Sequence, residues 1–139
     1  MITYFDTSML MKLVIDDESY RAESERLWLE SDYVVCAEIG YAEARAALGS
    51  ARRHDRLNPT GLQTAKDQLE LLWEQLSIVV VDTALVRAAG DVAERDSLRG
   101  YDAVHLAAAI TGHATVMASA DRHLVKAAHR HGLGAAGPL

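Results

Sequence analysis

The chain has 139 residues, 50% of them hydrophobic and 24% charged, a composition that suits one packed domain over residues 1–139 and excludes a disordered tail. Its 20 acidic residues outnumber the 14 basic ones for a net charge of −6, which opposes any polyanion binder that works through bulk positive charge. A single cysteine, Cys36, excludes an internal disulfide and a cysteine-built zinc cluster, and no apolar run approaches the roughly 18 residues of a membrane span.

Residues 1–11 have no basic leader and carry Asp6 inside their apolar stretch, so they do not read as a secretory signal, and a cytoplasmic protein is expected. Four short apolar runs, Ile2 to Phe5, Tyr33 to Cys36, Ile78 to Val81 and Thr115 to Ala118, are rich in β-branched residues and lack polar alternation. Such runs suit strands covered on both faces, as in a parallel sheet. Cys36, at the end of the second run, reads as a small buried hydrophobe.

Between the runs lie helical patterns. Ser19 is placed to cap a helix through Glu30, and Ala37 to about Arg53 forms another whose small apolar stripe is Ile39, Ala42, Ala46 and Ser50. Asn58-Pro59 starts a helix with Leu62, Leu69, Leu72, Trp73 and Leu76 on its apolar face. Further helices run from Thr83 to about Glu94, from Tyr101 to Ile110, and from Asp121 to His131 with Gly132 as its stop. The Tyr101 helix is apolar on nearly every side, which implies burial. Residues 132–139 are too glycine-rich for a fifth strand to be assigned, so the expected fold is α/β, with a central parallel sheet of four or five strands flanked by helices and joined by right-handed crossovers.

In such folds sites form at the carboxyl ends of the strands. The first strand runs into Asp6, the third into Asp82 and the fourth into Ser119-Ala120-Asp121. Glu43 falls on the expected inward stripe of its helix, and Asp102 opens the buried helix. Each acid has a structural explanation: Asp6 and Asp121 as helix caps, Glu43 as the partner of an arginine, Asp102 as compensation for a helix dipole. Convergence of the four would create mutual repulsion that a hard divalent cation, Mg²⁺ or Mn²⁺, relieves through carboxylate and water ligands. The six histidines form no zinc-type ligand pair; His105 lies one turn after Asp102, where it can face the site, and is read as a packed or solvent-linked histidine. No nucleotide-binding glycine loop and no serine-hydrolase elbow occurs.

Four segments carry a resemblance: Tyr4-Phe5-Asp6-Thr7-Ser8, Tyr41 to Leu48 around Glu43, Leu98 to Ala109 around Asp102, and Ala118-Ser119-Ala120-Asp121-Arg122-His123-Leu124. In this order and spacing they resemble the motifs of PIN-domain nucleases, and among these the VapC-type ribonuclease toxins of toxin–antitoxin pairs. The resemblance implies a PIN-like three-layer fold and a Mg²⁺- or Mn²⁺-dependent endoribonuclease that hydrolyses phosphodiesters with a metal-activated water. It implies Asp6, Glu43, Asp102 and Asp121 as metal-binding acids, Ser8 as a hydroxyl near the first carboxylate, and Ser119 where many members have threonine. It further implies an RNA substrate, a VapB-type antitoxin that wraps the helices and reaches into the acidic pocket, and a homodimer, with no membrane partner.

Basic residues offer RNA a route: Arg45, Arg52, Arg53, His54 and Arg56 after Glu43, Arg95 and Arg99 before Asp102, and Arg122, Lys126 and Arg130 after Asp121, although solvated helix faces explain such charges equally well. Trp28 and Trp73 read as core residues, with an antitoxin-facing surface as the other reading. Two rival functions remain open. A haloacid-dehalogenase-like phosphohydrolase would use Asp6 as nucleophile but wants a second acid where Ser8 stands. A non-catalytic module would dock a basic peptide in the acidic pocket.

Overall fold

The structure, a computed structural model, describes residues 1–15 and 19–138. Five parallel strands, β1 (Ile2–Phe5), β2 (Tyr33–Ala37), β3 (Ser77–Val79), β4 (Val116–Ala118) and β5 (Gly134–Ala136), form one sheet in the order β3-β2-β1-β4-β5. Among the described residues seven helices cover it: α1 (Thr7–Val14), α2 (Arg21–Glu30), α3 (Ile39–Arg53), α4 (Pro59–Gln75), α5 (Thr83–Asp96), α6 (Gly100–Thr111) and α7 (Arg122–Arg130).

Successive side chains of each buried strand point to opposite faces of the sheet and so feed two cores. Tyr4, Val35, Ala37 and Met117 face α5, α6 and α7, packing on Leu85, Ala89, Leu106 and Leu124. Phe5, Val34, Cys36 and Ala118 face α1, α3 and α4, packing on Leu10, Leu48, Leu69 and Leu72. Cys36 is fully buried, and both tryptophans pack against this second core, Trp28 edge-on to Phe5 and Trp73 edge-on to Tyr41. The strand order reverses between β1 and β4: the chain builds outward through β2 and β3, then returns through α5 and α6 to the other side of β1. That reversal opens a crevice at the carboxyl ends of β1 and β4.

Several boundaries differ from the sequence reading. Residues 7–14, to which that reading assigns no helix, form α1. Met9, Leu10, Met11, Leu13 and Val14 are all buried, so the segment lacks the polar face that reveals a helix. Ser19 does not cap α2; Tyr20, in the left-handed region at φ 68°, is its N-cap, and its carbonyl accepts the Ser24 hydroxyl. The third strand covers Ser77 to Val79 and stops before Val80, which is exposed. Ala37 is the last residue of β2 rather than the first of a helix.

The inward stripe of α3 is Gly40, Ala44, Leu48 and Ala51, while Ala42 and Ala46 face solvent. Glu43 therefore borders the stripe rather than lying on it. The glycine-rich tail does add a fifth strand. Ser119 N–H donates to the Ala136 carbonyl, and Gly137 (φ 140°) follows so closely that a Cβ there would lie 2.1 Å from the Ser119 carbonyl oxygen. Only glycine tolerates that approach. No helix of the described residues is long and apolar enough to cross a membrane.

Candidate active site

Asp6 follows β1 directly and caps α1. Its Oδ1 accepts the Met9 N–H at 3.1 Å and the Ser8 hydroxyl at 2.6 Å, and its Oδ2 accepts the Ser119 hydroxyl. The residue is 6% exposed. Burial pushes its carboxyl above the ordinary range, against the pull of the Ser119 and Ser8 hydrogen bonds. The two hydroxyls also tie β1 to β4, because Ser8 Oγ accepts the Ala120 N–H and Ser119 Oγ accepts the Asp121 N–H, both at 3.0 Å. Each serine thus passes a hydrogen bond from the loop after β4 to the carboxylate after β1. Asp121 then caps α7, its Oδ1 accepting from His123 N at 2.9 Å and Leu124 N at 3.3 Å.

Asp102 stands in the first turn of α6, where the helix dipole favours a negative charge. Its Oδ2 accepts from Arg99 Nε at 3.1 Å. The Arg99 guanidinium lies 5.0 Å from the Tyr101 ring centroid, and its own pKa is raised chiefly by Asp102 and in smaller part by Asp121. Arg99 therefore sits in the field of both acids.

Glu43, in the second turn of α3, reaches across to the other layer. Its Oε1 accepts from Thr7 Oγ1 at 3.0 Å and from His105 Nε2 at 2.5 Å. Burial raises the Glu43 carboxyl, but the His105 and Thr7 hydrogen bonds prevail and hold it below the ordinary carboxylate range.

The structure thus joins Asp6, Ser8, Ser119 and Asp121 in one hydrogen-bonded group, and links Glu43 to the residue after Asp6 and to the helix of Asp102. Asp82 stands apart as an exposed cap of α5, accepting from Leu85 N at 2.9 Å. Among the described residues, no three His, Cys, Asp or Glu side chains close into a ready-made cage for an ion. The donor set nonetheless fits a small hard cation. It is all carboxylate oxygen, and Mg²⁺ keeps several waters and needs only one or two carboxylates. Tyr4, Thr7 and His105 complete the surroundings of these acids; the sequence assigns Tyr4 and Thr7 no site role and reads His105 as a packed or solvent-linked histidine. The i,i+3 spacing of Asp102 and His105 was the available signal. Of the basic residues, Arg130 is held by Asp96 at 2.9 Å, and Arg45 donates to the Tyr41 hydroxyl at 2.9 Å.

With this crevice at the strand reversal in view, the comparisons with known proteins are specific. The PIN domain family model matches residues 3–130. Ribonuclease VapC45 of Mycobacterium tuberculosis (strain CDC 1551 / Oshkosh) is 34% identical over 133 residues, covering 94% of this chain and 92% of that protein. Solved structures share the fold, two of them as follows. One is Mycobacterium tuberculosis VapC20, described as a sarcin-ricin loop cleaving toxin, with a TM-score of 0.69, 17% identity and coverage of 90% and 94% of the two chains. The other is VapBC2 from Rickettsia felis bound to a DNA fragment from their promoter, with a TM-score of 0.67, 14% identity and coverage of 99% and 98%. The chain belongs to the PIN-domain family and, through its kinship with VapC45, to the VapC group within it.

Proposed function

We propose that this single-domain chain is the ribonuclease toxin of a toxin–antitoxin pair, hydrolysing RNA phosphodiesters through a divalent-cation-activated water. The observation that carries the reading is Asp6: a buried carboxylate at the strand reversal, oriented by two serines that connect it to the loop of Asp121. Kinship with a ribonuclease over 94% of the chain supports RNA as the substrate.

Asp6, Glu43, Asp102 and Asp121 would hold the cation, Mg²⁺ or Mn²⁺. When bound, it supplies charge neutralisation at the phosphate and a water of lowered pKa. The chain's own groups prepare for this. Ser8 and Ser119 donate to Asp6 and keep its oxygens in a fixed orientation. Glu43 is held anionic by its donors, and the first turn of α6 supports negative charge at Asp102. Arg99, exposed beside Asp102, is placed to meet an RNA phosphate.

A phosphohydrolase using Asp6 as nucleophile finds little support, because Ser8 occupies the place of the second acid and donates to Asp6. The rival binding-module reading differs in having no turnover. A VapB-type antitoxin and a homodimer complete the proposal, the former supported by the VapBC2 structure that shares this fold.

The test is cleavage of single-stranded RNA by purified protein in Mn²⁺ or Mg²⁺ and in EDTA. Activity is expected only with the cation. Asp6→Ala and Asp102→Ala should each reduce it by at least about 100-fold, the scale of losing an electrostatic contributor, while remaining folded. Cleavage that survives EDTA, or that both variants retain, would sink the reading.

A further inference from the structure

A buried hydrogen-bonded chain connects the sheet interior to Glu43. The Ala37 N–H, at the end of β2, donates to the Tyr4 hydroxyl oxygen at 3.0 Å. Tyr4 Oη lies 2.5 Å from His105 Nδ1, and His105 Nε2 lies 2.5 Å from Glu43 Oε1. Tyr4 is fully buried and His105 is 3% exposed, so water is not a ready substitute partner for either. The rings meet edge-on at 72°.

The protons can be placed by counting. Tyr4 has one hydroxyl proton, and its oxygen already accepts from Ala37. Its proton finds its acceptor in His105 Nδ1, so the imidazole proton belongs on Nε2, aimed at Glu43. In that arrangement every donor has an acceptor and all hydrogen bonds run in one direction. The opposite tautomer would take away His105 Nδ1 as the acceptor of the Tyr4 proton and leave Nε2 without a proton facing a carboxylate.

Glu43 gains a defined geometry from this chain. Both of its donors, Thr7 and His105, land on Oε1, which leaves Oε2 as the oxygen available to a cation. The chain also crosses layers: Tyr4 lies on the central strand, His105 on α6 of one layer and Glu43 on α3 of the other. We propose that Tyr4 and His105 are positioning residues that fix the Glu43 carboxylate for divalent-cation binding, with His105 held as its Nε2–H tautomer by the Tyr4 hydroxyl. This rests on the metal-dependent reading above and adds two residues to its machinery. Neither touches the reacting atoms.

The test combines a tautomer measurement with cation affinity. Long-range ¹H–¹⁵N correlation on histidine-labelled protein without added metal should show His105 carrying its proton on Nε2, and Tyr4→Phe should shift the Nδ1 resonance as the hydrogen bond that Nδ1 accepts is lost. Calorimetric titration with Mn²⁺ should find binding roughly 10–100-fold weaker in Tyr4→Phe and His105→Leu, the scale seen when the partner orienting a metal ligand is removed. His105→Gln, which restores an N–H donor at the Nε2 position, should stay within about threefold of the parent affinity. A parent His105 protonated on Nδ1, or unchanged Mn²⁺ affinity in both Tyr4→Phe and His105→Leu, would overturn the positioning role alone. A parent protein that binds no Mn²⁺ would overturn the metal-dependent reading and this proposal with it. Should either loss variant fail to fold, the parent tautomer and the His105→Gln affinity decide.

Discussion

Asp6 shows how one residue can serve a local structure and oppose stability at once. Its carboxyl caps α1 and accepts two serine hydroxyls, yet burial raises its pKa. A carboxyl whose pKa is higher folded than unfolded favours the fold when protonated and costs stability as the pH rises above its unfolded value. Asp6→Asn keeps a cap acceptor and removes the buried charge. It should therefore raise the stability of the protein in EDTA at neutral pH by on the order of 1 kcal/mol, with the gain shrinking in acid, while abolishing cation-dependent cleavage. Thermal melts across pH check the first part and the cleavage assay the second. A destabilised Asp6→Asn at neutral pH would mean that the hydrogen bonds to the charged form outweigh its burial. At this scale the sequence was informative for Asp6, because a carboxylate beside a buried strand is conspicuous. It placed His105 one turn after Asp102 but carried no sign of Tyr4 as its partner, because the fold brings together residues 101 positions apart.

Among the elements, α5 and α7 are joined by a polar clamp on the layer that carries Asp102. The Asp96 side chain is 2% exposed and accepts from Arg130 Nε at 2.9 Å and His131 Nε2 at 2.7 Å. Burial raises the Asp96 carboxyl, but the His131 and Arg130 hydrogen bonds prevail and hold it below its ordinary value. A depressed carboxyl pKa stabilises the fold above the unfolded value and loses that contribution as pH falls through the folded one. Asp96→Asn should cost about 1.5–3 kcal/mol at neutral pH, the range for a hydrogen bond to a charged group. The difference from the parent should close as the pH drops below the ordinary carboxylate value of 3.8. Paired melting curves at neutral and acid pH decide it; a constant gap would show that Asp96 acts through packing instead.

The elements also show where periodicity succeeds and fails. The α4 pattern, with Asn58 as cap and Pro59 at its start, appears as read, because half its surface is solvated. The α1 segment went unseen because burial erased its polar face, and the stripe of α3 was misplaced by one to two residues because alanines populate both faces.

For the whole molecule, the net charge of −6 takes on a local meaning. Asp6, Glu43, Asp102 and Asp121 are four of its 20 acids, and without them the excess over 14 basic residues falls to −2. A divalent cation bound by the folded protein and not by the unfolded chain should stabilise the whole fold. Mn²⁺ at 100 times its Kd should add about 2.7 kcal/mol relative to EDTA, and the Asp6→Asn, Asp102→Asn double variant should show almost none of this. Melting in the two buffers measures it; an equal shift in the double variant would place the cation elsewhere.

The sequence by itself determined the α/β alternation, four strands, most helices and the placing of Asp6 and Asp121 at strand ends, since these depend on local periodicity and on charges placed where burial is costly. Only the tertiary structure decided the strand order that sets β1 beside β4. It also decided the fifth strand, made possible by a close approach at Gly137, and the chain from Tyr4 through His105 to Glu43. Those depend on contacts between distant segments, and local patterns carry no record of which distant partner a buried polar atom will meet.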